Sequence, residues 1–457
     1  MYMTESGWKQ VDSNVKEDIF HFAEGYKAFL DIGKTERLAC GEAKRLAEIN
    51  GFSDLESKES LKAGDKVYVV NRDKSILLAV IGEEDVQKGV RFVIAHNDCP
   101  RIDIKQHPVY DDSGLAMLKT HYYGGIKKYQ WTAVPLALHG VVVKKDGTKV
   151  QIDIGDKPGD PVFYISDLLI HLASDQMQKK ATEVINGEAL NIIIGSIPAE
   201  CAEKDTEKDA VLSMLEAEFG ICEEDFLSAE LEAVPAMQAR DMGLDRGMIV
   251  AYGHDDRVCG YTALSALFET EAPKKTAVCV LTDKEEIGSM GSTGMRSAFF
   301  EYAMALLIEK TTGTYNELML KRTFHNSKCL SADVNGGVDP NYPEVNDKLN
   351  AAYIGRGLVI TKYTGSRGKS GTSDADAEFV AEVRNCFDEA GVLWQAAELG
   401  KVDAGGGGTI AQYVANLDVD VLDCGVALIS MHAPMEAASK LDIYMAYKGY
   451  KAFFAMK

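Results

Sequence analysis

Residues 278–294 read VCVLTDKEEIGSMGSTG and combine a strand with a polar loop that contains two adjacent carboxylates. The apolar run from Ala277 to Leu281 predicts a buried strand, and the glycines and serines beyond it predict a loop. Like charges in a poorly solvated place raise each other's pKa, so Glu285 and Glu286 are electrostatically unfavourable neighbours there. A bound cation would relieve this cost and leave one carboxylate free to move a proton. For an isolated pair, a solvated surface loop is the alternative, and the rest of the chain decides between the two.

Length, charge and cysteine usage narrow the class of protein. A chain of 457 residues exceeds the usual size of one core, so we expect two or three domains. The net charge of −21 argues against nucleic acid and against anionic membranes, since both attract basic patches. The N-terminus lacks the pattern of a signal peptide, and no apolar run reaches the roughly 18 residues of a membrane span. The nine cysteines are scattered without CxxC spacing, so we expect a cytoplasmic protein without a disulfide framework or a thiolate zinc site.

Two segments with α/β character flank one of different character. Apolar residues at three- and four-residue spacing predict helices within 14–50, and buried strands alternate with helices again after Gly253. Between them, short alternating segments predict antiparallel strands. We therefore predict an α/β fold in which 1–105 and 248–457 form one domain, with a central mixed sheet between helices. Residues 106–247 are predicted to be an inserted β-rich lid or dimerisation domain.

The elements of the second α/β segment can be placed from the same periodicities. The terminal helix is amphipathic and aromatic, which favours core packing over an oligomer contact. The predicted elements are helices over Tyr261–Glu269, Arg296–Glu309, Asp374–Ala390 and 438–454, and strands over Ala277–Leu281, Cys329–Val334, Gly357–Lys362 and Val419–Leu422.

Carboxylate and imidazole side chains recur in five short segments, four of them at the end of a predicted strand. Such groups bind hard or borderline divalent cations, and ligands of α/β sheets gather outside the carboxyl ends of strands. A lone histidine is more simply explained by packing or solvation, but five such placements together predict a metal site. The segments contain His96 with Asp98, Asp255 with Asp256, Glu285 with Glu286, then Asp333, and finally His432.

The motifs around these residues resemble, in chain order, those of the M18 metalloaminopeptidases, the aspartyl aminopeptidase family. The resemblance extends from about residue 15 to the C-terminus, and the related M42 and M28 peptidases share only parts of it. It implies a dinuclear zinc exopeptidase fold whose catalytic domain is interrupted by the insertion. It also implies a tetrahedral homododecamer whose active sites face an interior chamber that admits peptides. The motifs are AHNDCPRIDIK, GHDDRVCGYTAL, TDKEEIGSMGSTG, SADVNGGVDPNYP and MHAPMEAASKLDIY.

The resemblance also implies a role for each residue of the predicted site. Glu285 is expected to be the general base and Glu286 a metal ligand. Asp255 is expected to bridge both metals, with Asp256 as the alternative if the register is shifted by one. His96 and Asp333 are expected to bind one or the other ion as terminal ligands, His432 to complete the second, and Asp98 to orient the His96 imidazole.

This set of residues matches the chemistry of a metal-dependent aminopeptidase. Two divalent ions, Zn²⁺ first with Mn²⁺ or Co²⁺ as alternatives, would hold a bridging hydroxide and polarise the scissile carbonyl. Glu285 would take the proton of that water and pass it to the leaving amine. The free α-amine of a peptide substrate would bind one metal, which makes the enzyme an exopeptidase.

Substrate contacts are predicted at four further positions. His171 lies in an IHL segment that in the family reaches a neighbouring subunit's active site, and packing against Leu168 and Leu172 is the alternative. Gly407 and Gly408 precede Thr409 and could offer backbone N–H groups, or they form a flexible turn. Lys362 is the candidate cation for acidic N-terminal residues.

The preferred N-terminal residue remains open between acidic and neutral. Two segments that would form pocket walls, YGGIKKYQW and KVDAGGGG, depart from the eukaryotic pattern of the family. Two rival functions also remain, a dimetal carboxypeptidase or deacylase and a non-catalytic self-assembling shell protein. The intact Glu285 argues against the shell protein.

Overall fold

The computed structural model describes residues 5–199 and 206–456. Cys201 lies outside these ranges, and the eight described cysteines are free. Within the described ranges, no helix combines the length and the apolar character that crossing a bilayer requires. The helices there are α1 (Ser13–Ile32), α2 (Glu36–Ile49), α3 (Glu207–Phe219), α4 (His254–Phe268), α5 (Phe299–Thr312), α6 (Glu317–His325), α7 (Ala377–Glu389), α8 (Ala411–Ala415) and α9 (Lys440–Ala455).

The strands form three sheets. The first strands along the chain are β1 (Ser53–Asp54), β2 (Lys66–Asn71), β3 (Ser75–Val80) and β4 (Arg91–His96). They are followed by β5 (Arg101–Asp112), β6 (Leu115–Tyr123), β7 (Pro135–Val143), β8 (Lys149–Ile154), β9 (Phe163–Tyr164), β10 (Ile192–Gly195) and β11 (Ala229–Pro235). The remaining strands are β12 (Arg240–Met242), β13 (Met248–Ala251), β14 (Ala277–Thr282), β15 (Lys328–Ser331), β16 (Asn335–Gly336), β17 (Leu358–Thr361), β18 (Trp394–Ala396), β19 (Asp420–Gly425), β20 (Ala427–Ile429) and β21 (Glu436–Ser439).

A nine-stranded mixed sheet forms the centre of the molecule, in the order β1-β2-β3-β14-β4-β15-β19-β17-β18. Its middle strands β14, β4, β15 and β19 are parallel, whereas β3 and β17 run antiparallel to their neighbours β14 and β19. This confirms the predicted α/β fold with a central mixed sheet. Strands buried on both faces explain the near-continuous apolar runs in the sequence.

Helices cover both faces of this sheet. Alternate side chains of β14 point to opposite faces, so Cys279 joins the core beneath α1, α2, α4, α7 and α9, while Val280 joins the core beneath α5, α6 and α8. Tyr450 and Phe453 of α9 are fully buried. Core packing of the terminal helix, the favoured prediction, is therefore confirmed.

The second sheet lies wholly between Arg101 and Pro235 and has the order β11-β5-β6-β10-β9-β7-β8. Because β11 also pairs with β7, six of its strands close into a ring around a separate core that contains Trp131. The third sheet, β12-β13-β21-β20-β16, connects distant parts of the chain beside the central sheet.

Several element boundaries differ from the predictions. Helix α4 begins at His254 rather than Tyr261, and its first turn includes Asp255 and Asp256 with non-helical dihedral angles. The polar residues of that turn interrupt the apolar periodicity, which is why the sequence pattern places the start too late. Helix α6 was not predicted, and α5 spans Phe299–Thr312 rather than Arg296–Glu309.

Candidate active site

Four predicted site residues follow neighbouring strands of the central sheet. His96 is the last residue of β4, Glu285 and Glu286 come just after β14, and Asp333 comes just after β15. Since β14, β4 and β15 are adjacent and parallel, their carboxyl ends meet at one edge of the sheet. The crossover topology alone therefore brings these side chains together.

The third sheet adds the other two predicted ligands. Strand β13 leads into α4, whose first turn contains Asp255, and His432 lies in the loop between β20 and β21. Strands β13 and β21 pair antiparallel, with Ala251 opposite Glu436. This pairing places Asp255 and His432 beside each other although 177 positions separate them in the sequence.

Asp255 lies between two imidazoles. Its Oδ1 is 3.1 Å from His96 Nε2, and its Oδ2 is 3.2 Å from His432 Nε2. The same Nε2 atom of each ring also lies near a second carboxylate. Asp333 Oδ1 is 3.9 Å from His96 Nε2, and Glu286 Oε2 is 3.5 Å from His432 Nε2.

Two sets of side chains could therefore each hold a cation, and they share Asp255. Ligand atoms lie within 4.8 Å of one another in the set of His96, Asp255 and Asp333, and also in the set of Asp255, Glu286 and His432. Imidazole and carboxylate are the ligands that zinc accepts. Glu286 Oε1 is buried without a hydrogen-bond partner, which suits an atom that faces a cation. The donor set thus fits two metal ions.

The charges of these groups are strongly coupled. Burial lowers the pKa of the two histidines, but the surrounding carboxylates, with Asp255 foremost, together outweigh burial and raise the pKa of both, that of His432 to about 10. Burial raises the pKa of Glu286 and Asp333 well above the usual range for carboxyl groups. Protons shared among buried acids and imidazoles are what divalent cations would replace, so metal binding here is expected to release protons.

Asp98 binds three segments of the site at once. Its Oδ1 accepts a hydrogen bond from the Glu285 N–H (3.0 Å) and lies 3.3 Å from His96 Nδ1. Its Oδ2 accepts from the Glu286 N–H (3.2 Å) and from the Tyr123 hydroxyl (2.7 Å). Burial by itself raises the pKa of Asp98. The contacts with His96 and Tyr123 have the opposite effect and the net pKa is lowered, so the carboxylate stays ionised. Sequence reasoning missed Tyr123 because it belongs to β6 of the second sheet.

The two adjacent acids occupy different surroundings. The Glu286 side chain is 3% exposed and faces His432, whereas the Glu285 side chain is 16% exposed. Burial raises the pKa of Glu285 to about 7. Such a carboxyl group can exchange a proton near neutral pH, which is the property required of a general base.

A cavity of about 320 Å³ adjoins the acid pair. Gly408, one of the predicted substrate-contact residues, is part of its wall. Glu285, Glu286 and His432 were predicted as well, whereas Ser289, Gln412 and Tyr413 were missed because uncharged side chains give no chemical signal in the sequence. The lining residues are Gly125, Glu285, Glu286, Gly288, Ser289, Gly408, Thr409, Gln412, Tyr413 and His432.

Three predicted substrate-contact residues are not among the lining residues of this cavity. Gly407 lies next to it, and its carbonyl accepts a hydrogen bond from the Gly365 N–H (2.5 Å). Lys362 is an exposed residue that follows β17. His171 is exposed in a single 3-10 turn, and its neighbours Leu168 and Leu172 are 47% and 69% exposed. Within one chain His171 therefore does not lie in a buried core, and its role stays a prediction.

Similar known proteins show the family to which the chain belongs. Residues 29–454 match the family described as Aminopeptidase I zinc metalloprotease (M18). A probable M18 family aminopeptidase 1 from Clostridium acetobutylicum is 50% identical over 454 residues, 98% of this chain and 97% of that protein. The crystal structure of an M18 aminopeptidase from Thermotoga maritima is 44% identical, with a TM-score of 0.96 and coverage of 99% of both chains. A dodecamer of mApe1 from S. cerevisiae shares the fold at 20% identity, with a TM-score of 0.76 over 94% of this chain and 96% of that one. The present chain thus belongs to the M18 family of zinc aminopeptidases, hydrolases that act on N-terminal residues.

Proposed function

We propose that this aminopeptidase works with two divalent ions, with zinc as the preferred metal and manganese or cobalt as alternatives. Asp255 would bridge the ions, His96 and Asp333 would complete the coordination of one, and Glu286 and His432 that of the other. The observation that supports this most is the presence of two ligand sets that share one buried carboxylate.

The side chains around these ligands would divide the remaining work. When bound, the ions would polarise the scissile carbonyl and acidify a water molecule. Glu285 would take a proton from the attacking water and deliver it to the leaving amine. Asp98 would hold the His96 imidazole in orientation through its main-chain carbonyl (3.0 Å from Nδ1) and its carboxylate, and the carboxylate would fix the main chain of both glutamates.

The exopeptidase step can be tested with matched substrates. The purified chain should hydrolyse leucine nitroanilide after treatment with a chelator only when zinc, manganese or cobalt is restored. The N-acetylated substrate should resist hydrolysis, because its α-nitrogen is no longer a basic amine that can bind metal. Equal rates on the free and acetylated substrates would contradict the proposal.

The cavity wall favours a neutral N-terminal side chain over an acidic one. None of the described residues that line it is a lysine or an arginine. Ser289, Thr409, Gln412 and Tyr413 offer hydroxyl and amide groups instead. We infer that, within one chain, an Asp or Glu side chain would meet no lysine or arginine there and would lose solvation.

This preference can be measured with a panel of aminoacyl nitroanilides. Lys362→Ala should leave the ratio of Asp to Leu hydrolysis unchanged, whereas Gln412→Lys should raise it by roughly five- to tenfold, about 1 kcal/mol of charge pairing. A wild-type preference for Asp that disappears in Lys362→Ala would restore the acidic assignment.

Self-association is proposed from an exposed apolar segment at 168–172. Ile170 and Leu172 are 68% and 69% exposed on either side of His171. Solvated leucine and isoleucine side chains side by side mark interaction surfaces. With the dodecameric state of the yeast relative, this supports a homododecamer in which the His171 side chain reaches a neighbouring subunit's site.

We also propose a division of the chain into domains and a cellular compartment for the protein. The confinement of the second sheet to Arg101–Pro235 supports an inserted lid or dimerisation domain close to the predicted 106–247, within a catalytic domain of 1–105 and 248–457. The sheet begins with β5 inside the range 1–105, and β12 pairs with β13 of the third sheet. Eight free described cysteines, most of them buried, support a reducing compartment such as the cytoplasm.

A further inference from the structure

Glu436 begins β21 and is 1% exposed, and no catalytic task above requires it. Its two carboxylate oxygens accept hydrogen bonds from main-chain amides of the two sides of the site. The His432 N–H donates to Oε1 (2.7 Å), and the Asp255 N–H donates to Oε2 (3.0 Å). One buried side chain therefore joins the start of α4 to the loop between β20 and β21.

Asp255 and His432 differ in the other hydrogen bonds that hold them. The Asp255 carbonyl also accepts a hydrogen bond from the Cys99 thiol (2.8 Å), so its main chain has a second attachment. His432 has φ of +65°, a left-handed conformation that a residue with a side chain rarely adopts. Its ring is held by Nδ1 against the Gly125 carbonyl (2.8 Å) and by Nε2 at 3.2 Å from Asp255 Oδ2. The carboxylate of Glu436 is thus the main-chain attachment on which the position of His432 depends most.

We propose that Glu436 is a positioning residue that sets the separation of Asp255 and His432 for the metal ion they share. The proposal rests on the ligand roles proposed above. Each Glu436 oxygen accepts from a main-chain N–H and not from a side chain, so both side chains stay free to face the metal. His432 belongs to only one ligand set, so loss of Glu436 should weaken that ion selectively. The other ion keeps His96 and Asp333.

Asp442 provides a matched control within the same part of the chain. It is 0% exposed, and its carboxylate accepts from the Gly355 N–H (2.7 Å) and the Gly357 N–H (2.5 Å). It therefore bridges two main-chain amides as Glu436 does, but neither amide belongs to a proposed ligand. Glu436→Gln and Asp442→Asn make the same chemical change, since each leaves one amide facing a carboxamide NH₂.

The test is a zinc titration of the full-length chain in competition with a chelating indicator, beside thermal unfolding. Wild type should bind two ions. Glu436→Gln should bind the first like wild type and the second with a dissociation constant about 10- to 100-fold higher. Asp442→Asn should bind both like wild type while its thermal midpoint falls. Cobalt substitution should show the altered visible spectrum in Glu436→Gln only.

The outcomes separate this inference from the ligand assignment. His432→Ala should weaken the same ion, and if it does not, the proposed ligand set is wrong. If His432→Ala weakens it but Glu436→Gln binds both ions like wild type, or if Asp442→Asn loses metal equally, the positioning role is overturned. Should Glu436→Gln fail to fold, Glu436→Asp, which keeps both oxygens but draws them back by one carbon–carbon bond, is judged by the same criteria.

Discussion

Tyr123 is a single residue whose hydroxyl links the second sheet to the metal site. It donates to Asp98 Oδ2 (2.7 Å), and its ring lies under the Arg101 guanidinium at 3.9 Å. Removing the hydroxyl would leave the ring and its packing in place. The orientation of His96 and of the glutamate loop depends on Asp98, so the effect of this change should appear in turnover rather than in folding.

We therefore expect Tyr123→Phe to lower kcat by about 10- to 100-fold with little change in thermal midpoint. Tyr447→Phe is the control, because Tyr447 also donates to a carboxylate, Glu269 Oε2 (2.6 Å), away from the site. Steady-state kinetics on both variants tests the prediction. It is wrong if Tyr123→Phe turns over like wild type or if Tyr447→Phe loses as much activity.

At the scale of elements, Asp442 shows how one buried acid in the first turn of α9 links stability to pH. Burial raises its pKa to about 7, whereas the unfolded chain should titrate near 3.9. Its folded-state pKa is the higher one, so its stabilising contribution is fully present below about pH 4. That contribution is lost as the pH rises through about 7.

Asp442→Asn cannot titrate at this position. The stability of wild type relative to Asp442→Asn should therefore increase as the pH falls from 8 to 4, by at most about 1.4 kcal/mol per unit. Thermal midpoints of the two proteins across this pH range measure the difference in stability. The other titrating groups are the same in both proteins, so their contributions cancel. A pH-independent difference, or one that shrinks toward acid pH, would show that Asp442 does not titrate in this way.

Strands and helices with a continuous apolar pattern were predictable from the sequence. Elements whose limits depend on contacts with distant residues were not. β14 and its acidic loop follow from a run such as AVCVL, because burial on both faces requires apolar residues throughout. The start of α4 was misplaced because the polar residues Asp255 and Asp256, which have non-helical dihedral angles, interrupt the apolar periodicity. Helix α6, with its short and polar sequence, lies below what periodicity alone detects.

The same contrast holds within the site. The convergence of His96, Asp333 and His432 was predictable because metal-binding side chains belong to a few residue types and gather at strand ends. Tyr123 donates a hydroxyl hydrogen bond, and Glu436 accepts hydrogen bonds from main-chain amides. Many residue types can do either, so the sequence does not single out these two. Their roles depend on the pairing of β6 with β5 and of β21 with β13, and a single sequence does not specify such pairings.

On the scale of the whole molecule, the exposed segment at 168–172 predicts how the assembly can be broken. The double variant Ile170→Asp, Leu172→Asp places charges where an apolar interface is expected, so its particles should have a lower mass by light scattering. Ile49→Asp is the control, because Ile49 is exposed to the same 68% as Ile170 but lies at the end of α2. An unchanged mass of the double variant would exclude this segment as an interface.

The central claim is that the adjacent acids divide their tasks, with Glu286 binding metal and Glu285 moving the proton. The most direct measurement is the zinc content per chain of Glu285→Gln, determined together with its turnover. The account predicts two bound ions and a kcat lower by about 10²- to 10⁴-fold. Loss of an ion from Glu285→Gln, with Glu286→Gln keeping both, would contradict it and reverse the two roles.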